Sequence, residues 1–428
     1  MTQSAGNRTG ENIKAPLLPH LGQKKLGADS PFDNDSIVGG YSVLTKSMIG
    51  SGMLGMAYAG CQWGFVMGIL ACLVTAGITY FTVYVLAVMA MEYMSASNGE
   101  LSFFNVAKFV SPKTSWLIDL GVAVKAFGAS VAYIQIVGSL MAEVVLQGFS
   151  LGIDRQIVKY IVQIVLVVLL APAVYCKSIT STKAVNMFGI ANLAYLALLS
   201  IVYARPSWDN VTLWPLSVSG LFSRLPVFIF CFSCQQNLYK VCNELRYPTL
   251  GKLEKMGIWT VLSGLVIYTT VMIFPYMTFG ENVDSNFLHN LPLESYPVKL
   301  GYIAASLSLG INLPLAMHPC RNSLTVLWYK GNVPSDPVKE RRFRVMLTTL
   351  LLASITILGM AVDSLGIIME LAGLLGGNTM CYVMPTYLYC VMFTGQRDWS
   401  WYLSAFSFCF FMLLYPVCLI SIIQQHFL

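Results

Sequence analysis

Apolar runs of about 20 residues and longer, the length a helix needs to cross a bilayer, follow one another along most of this 428-residue chain. With 56% hydrophobic and only 11% charged residues, the sequence reads as an all-α polytopic membrane protein. Apolar windows set against their polar punctuation predict about eleven spans: 37–60, 64–92, 115–147, 156–175, 183–204, 221–243, 256–279, 298–319, 343–362, 365–392 and 399–425. Between the second and third, LSFFNVAKFVSPK (101–113) predicts an amphipathic interfacial helix or a plain loop, with Phe103, Phe104, Val106 and Phe109 as its apolar residues.

Residues 1–36 are polar, with Lys14, Lys24, Lys25, Asp33 and Asp35, and lack the short apolar core of a cleavable signal peptide. They are expected to form a disordered tail. Lys and Arg collect in cytoplasmic loops. The tail, Lys108, Lys113, Lys177, Lys183, Arg246, Lys252, Lys255, the cluster from Arg321 to Arg344, and Arg397 would share one side if the N-terminus is cytosolic, with Arg155, Lys159, Arg205, Arg224 and Lys299 opposite. The C-terminus then faces outward, and the sequon Asn210-Val211-Thr212 falls on an outer loop as a candidate glycosylation site, whereas Asn7-Arg8-Thr9 stays cytosolic and unused. Most of the eleven cysteines lie inside apolar runs, where a free thiol behaves as a small hydrophobe, so no structural disulfide is expected.

Two spans carry something a lipid-facing helix cannot. Gly50-Ser51-Gly52 falls near the middle of the first, and Ser233, Gln235, Gln236 and Asn237 stand together in the sixth. With no water to satisfy backbone groups, a helix breaks at mid-depth only where the freed N–H and C=O groups line a cavity or meet a ligand. Small residues such as Gly50 and Gly55 also mark close helix packing, so the first break alone is ambiguous; two breaks five spans apart need a common cause. An inverted repeat supplies one, because its discontinuous first helices converge on a substrate at the midplane. A half-helix N-terminus would hold a carboxylate and an opposing C-terminus an ammonium, and an α-amino acid carries both. The repeats would be 37–204 and 221–392, with 399–425 outside them and 37–428 as one transport domain.

The strings SMIGSGMLGMAYAG in the first span, FCFSCQQNLYKVCNEL in the sixth, YMTFGENVDSNFLHNLP after the seventh, NLPLAMHPCR in the eighth and AGLLGGNTMCYVMPTYLYC in the tenth resemble the amino acid/auxin permease family, in family order. The resemblance implies a LeuT-type fold and secondary active transport of amino acids, with the substrate backbone at Ile49, Gly50, Ser51, Gly52 and Met53 opposite Phe232, Ser233, Cys234 and Gln235. It also exposes two departures. Where the sodium-coupled branch of that family has an asparagine and a threonine that hold sodium, this chain has Lys46 and Asn312. A lysine there resembles the proton-coupled branch, and its ammonium could fill the place of a sodium ion. Gln235 stands where many members have histidine, which removes a titratable group.

A charge at mid-membrane depth costs at least a few kcal/mol, so Lys46 should face a cavity, as a fixed cation or as a proton carrier; the alternative is a lysine snorkelling to the cytosolic interface. Lys125 in the third span is equally ambiguous. Glu370 in the tenth span is a candidate to carry a proton or select a cationic substrate, against the plainer reading of a water-exposed carboxylate near the outer side. His318 is expected to end the eighth helix as an interfacial residue. Cys231-Phe232-Ser233-Cys234 has redox-motif spacing in the wrong context and is expected to pack. The four histidines form no metal pair, and no nucleophile motif or paired carboxylates lie in the spans, so no enzyme activity and no cofactor are expected. The partners expected are an amino acid, a proton and membrane lipid, with no nucleic acid, in a plasma or vacuolar/lysosomal membrane. The competing function is an amino acid sensor built on the same fold.

Overall fold

The computed structural model describes residues 37–97, 99–149, 152–177, 183–245, 247–330 and 336–427. The expected tail 1–36, with its lysines and the Asn7-Arg8-Thr9 sequon, lies outside the described residues, as does Arg246. The described chain is helical throughout, in the order α1 (Ile37–Met48), α2 (Met56–Trp63), α3 (Phe65–Ala96), α4 (Phe103–Val110), α5 (Trp116–Phe149), α6 (Arg155–Tyr175), α7 (Lys183–Val202), α8 (Val218–Cys231), α9 (Leu238–Glu244), α10 (Leu250–Phe279), α11 (Tyr296–Trp328), α12 (Pro337–Ala361), α13 (Leu365–Leu371), α14 (Met384–Met392) and α15 (Trp399–Phe427). Short polar residues begin several of them by accepting a bond from an otherwise unpaired backbone N–H. Ser102 caps α4, Asp154 α6, Ser217 α8, Thr249 α10 and Asp336 α12, the last followed by a proline at the first helical position.

Among the described residues, nine helical segments are long and apolar enough to cross a membrane, and Met187–Val202 is a shorter apolar helix. How much of each is buried sorts them into layers. The α13–α14, α8–α9 and α5 segments bury 78%, 72% and 67% of their apolar windows, whereas α6, α12 and α15 bury 22%, 28% and 33%. The first group therefore forms the centre, where α5 packs most extensively against α11. The second group turns Val168, Leu169, Leu350, Ile357, Phe406 and Leu413 outward, a belt far larger than an aqueous surface tolerates and suited to lipid.

Some boundaries differ from expectation. The eighth span runs on to Trp328, carrying Pro314 and Pro319 inside it, because packed neighbours in a membrane protein can absorb a proline's missing bond. His318 consequently lies within a helix and is buried, its Nδ1 2.6 Å from the Arg321 guanidinium. The interfacial segment is a helix, but only over Phe103–Val110. The tenth span contains two stretches of wide π-type turns, Ala372–Gly377 and Thr379–Val383, between α13 and α14. All eleven cysteines are unpaired, and Cys231 and Cys234 are buried.

Candidate functional site

Both expected breaks are present. After α1 the chain leaves the helix at Ile49 and Gly50, then tightens into a 3-10 turn over Ser51–Gly55 that leads into α2. After α8 it leaves at Phe232, Ser233 and Cys234 before the turn Gln235–Asn237 and α9. The two breaks touch. A Cβ placed on Gly52 would stand 2.7 Å from Cys231 Sγ and 3.2 Å from Cys231 Cα, so glycine lets the backbones meet. Gly50 behaves differently, since a Cβ there would meet nothing within 4 Å. Of the two glycines weighed for packing, Gly55 is tight, a Cβ there standing 2.8 Å from Met369 Sδ, while Gly50 faces open space.

The freed backbone groups have contrasting fates. No side chain caps the turn that begins at Ser51, and the first N–H groups of a helix have no acceptor within it. In the sixth span each successive carbonyl has a partner from another helix. Tyr268 of α10 lies 2.9 Å from Cys231 O, Thr79 of α3 donates to Phe232 O at 3.0 Å, and Lys125 of α5 donates to Ser233 O at 3.3 Å. The Tyr268 hydroxyl also lies 2.6 Å from Met48 O, so one phenol braces the ends of both half-helices. Gln235 is spent on the break itself: its Oε1 accepts from the Cys234 N–H at 2.9 Å and its amide donates to Thr82 Oγ1 at 2.9 Å.

Beside the first break, α1, α7 and α11 enclose a cavity of about 20 Å³ lined by Lys46, Ile49, Gly50, Ser51, Asn192 and Asn312, among others. That volume suits one water or a small cation. Lys46 is half-buried, with its ammonium 3.5 Å from Val185 O, and the buried Asn192 Oδ1 has no hydrogen-bond partner among the described residues. Lys46 and Asn312, 266 positions apart, therefore line one cavity, together with Asn192 and Ser308 and a larger set of apolar residues.

A second cavity, of about 630 Å³, lies elsewhere, lined by Tyr58, Gln135, Arg155, Lys159, His289 and Asp363, among others. Lys159 pairs with Asp363 at 2.6 Å, and Arg155 and His289 both lie against Glu143. The hydrogen bond from Lys159 holds the Asp363 carboxyl, in the turn between α12 and α13, below the usual aspartate value.

Glu370 takes a place different from the wet one expected. It is 0% exposed and pairs with Arg224, while His426 Nε2 lies 3.0 Å from its second oxygen. Arg224, counted among the outer basic residues at the start of the sixth span, is buried inside α8 and stacks on Tyr58 with its guanidinium carbon 3.8 Å from the ring centre. The carboxylate is dry because a buried arginine neutralises it. Asn210 is exposed as expected, but its amide donates to Thr278 O at 2.9 Å, a bond that a glycan on that nitrogen would displace.

A family model described as "Transmembrane amino acid transporter protein" matches residues 33–426. The chain belongs to that family. This transporter is 27% identical over 355 residues to vacuolar amino acid transporter 5 of Schizosaccharomyces pombe, covering 81% of this chain and 82% of the relative. It is 27% identical over 302 residues to vacuolar amino acid transporter 6 of Saccharomyces cerevisiae, covering 68% and 66%. It is also 24% identical over 383 residues to sodium-coupled neutral amino acid transporter 7 of Rattus norvegicus, covering 84% and 80%. The resemblance in the sequence motifs thus extends across nearly all of the transporter. Sequence reasoning missed three of its contacts: Tyr268, Thr79 and Asn192. Each is one of several weakly polar residues in an apolar helix, and only its place beside a break or the cavity next to it distinguishes it.

Proposed function

We propose that the transporter moves amino acids across its membrane by alternating access, with the two breaks as the seat. The observation that carries this reading is the contact of Gly52 with Cys231, which brings the break holding the uncapped turn at Ser51 next to the break that frees the carbonyls of Cys231, Phe232 and Ser233. An α-carboxylate suits the first set and an α-ammonium the second, because a carbonyl oxygen has two lone pairs and accepts a second bond. Ile49, Met53 and Cys234 wall the seat, while Gln235 shapes the break. The cavity of about 20 Å³ beside Gly50 is too small for an amino acid, so loading requires the seat to widen. Residues 37–204 and 221–392 act as inverted repeats, with 399–425 outside them and the N-terminus in the cytosol. On that orientation the cavity of about 630 Å³ is the outer vestibule, and the buried Tyr58–Arg224–Glu370 contact is its inner wall.

Coupling rests on Lys46. Lys46 lines the same cavity as Asn192, Ser308 and Asn312, whose side-chain oxygens would otherwise suit a small cation, and on this reading transport is sodium-independent, with protons as the coupling ion. The names of two relatives point to a vacuolar membrane, with the plasma membrane as the alternative. The test is uptake of a labelled amino acid mixture into proteoliposomes, with sodium and proton gradients imposed separately, for wild type and Lys46→Asn. Proton-driven, sodium-independent uptake that the substitution abolishes is the expected result. Sodium-driven uptake by the wild type would overturn this account of Lys46.

A further inference from the structure

Each half-helix that ends at mid-bundle has one lysine at its C-terminus. Lys46 stands in the last turn of α1; the second lysine reaches its break from another helix. Lys125 of α5 is 6% exposed, and its ammonium donates to Ser233 O at 3.3 Å and to Gln236 Oε1 at 3.0 Å. No ion pair joins it to a carboxylate among the described residues. The titratable groups facing it are thiols, Cys231 and Cys234 at the break and Cys381 on the tenth span. Its backbone is pressed against the π-type turns of that span, where a Cβ on Gly376 would come within 2.7 Å of Lys125 Cα. A buried cation with no anion must be held by dipoles, and the carbonyl end of α8 is the negative end of a helix. Gln236 is exposed whereas Ser233 is buried, so the oxygen pair is reached from the Gln236 side.

We propose that Ser233 O and Gln236 Oε1, at the carbonyl end of α8, form a monovalent-cation site that Lys125 fills as a tethered ammonium, and that a small free cation of the sodium or ammonium type enters once the tether is removed. Lys125 is then a positioning residue for the sixth break. Only that role in transport rests on the seat proposed above; the cation site does not.

The test is thermal melting of purified Lys125→Ala, Lys125→Met and wild type in detergent, in sodium, ammonium, methylammonium or N-methylglucamine chloride at constant ionic strength. Lys125→Ala should melt below wild type in N-methylglucamine and recover by several degrees in at least one small cation. Wild type and Lys125→Met, whose stems occupy the site, should not respond. Absence of a cation-specific shift in Lys125→Ala, or an equal shift in the other two, overturns the proposal whether or not the protein transports anything. If Lys125→Ala does not fold, uptake by Lys125→Met and Lys125→Arg decides. At least a tenfold rise in KM for Lys125→Met, restored by Lys125→Arg, supports the tethered cation; wild-type KM and rate for Lys125→Met overturn it.

Discussion

The break after α1 borders a cavity and leaves its new N–H groups uncapped, whereas each carbonyl freed after α8 is taken by a side chain from another helix. The half-helix that supplies these carbonyls, α8, is also anchored, through Arg224 to Glu370 and Tyr58. The first break is therefore the adaptable partner and the sixth the braced one. A mid-membrane interruption can be built from backbone alone where glycine opens a space, but one that contributes carbonyls needs a ring of donors around it. Tyr268 links the two, since it reaches both helix ends.

The largest expected effect comes from removing the anchor of the braced side. Glu370→Gln leaves the Arg224 charge buried and uncompensated, a loss of about 3–5 kcal/mol, seen as a lower melting temperature of the purified protein. Replacing Arg224 by Met in the same chain should recover part of it. Tyr268→Phe comes next: it deprives two buried carbonyls of one shared donor, costs about 1–3 kcal/mol, and should slow uptake because both breaks loosen. Unchanged melting would show that the phenol braces neither.

The glycine pair sharpens the contrast within the first break. Gly52→Ala drives a methyl into Cys231 and should destabilise by about 1–3 kcal/mol. Gly50→Ala meets no neighbour and should stay within about 0.5 kcal/mol of wild type while impairing uptake. Equal melting of the two would mean that Gly52 does not hold the breaks together. The smallest effect belongs to Asp363→Asn at the vestibule, about 0.5 kcal/mol or less because the carboxylate is largely exposed. The Asp363 carboxyl titrates below its unfolded value in the folded protein, so its contribution is present above the ordinary aspartate range and fades as pH falls through the depressed value. The gap between variant and wild type should close in acid.

Helical class, the approximate positions of the long apolar helices and the location of both breaks were legible in the sequence. Bilayer thickness sets the length of an apolar run, and a polar or glycine cluster inside such a run has few explanations in lipid. Lys46 and Asn312 were paired by their motifs and do share a cavity. The sequence could not say that Glu370 is dry, that Arg224 is buried, that His318 sits inside a helix, or that Gln235 turns back on its own break. Whether a charge in an apolar span is wet or paired depends on a partner far away in the chain, here 146 positions for Arg224 and Glu370. Periodicity describes one helix at a time and holds no information about which faces meet. Tyr268, Thr79 and Lys125 acquired their contacts to the breaks only when helices distant in sequence packed together, because a hydrogen bond depends on distance and direction in space.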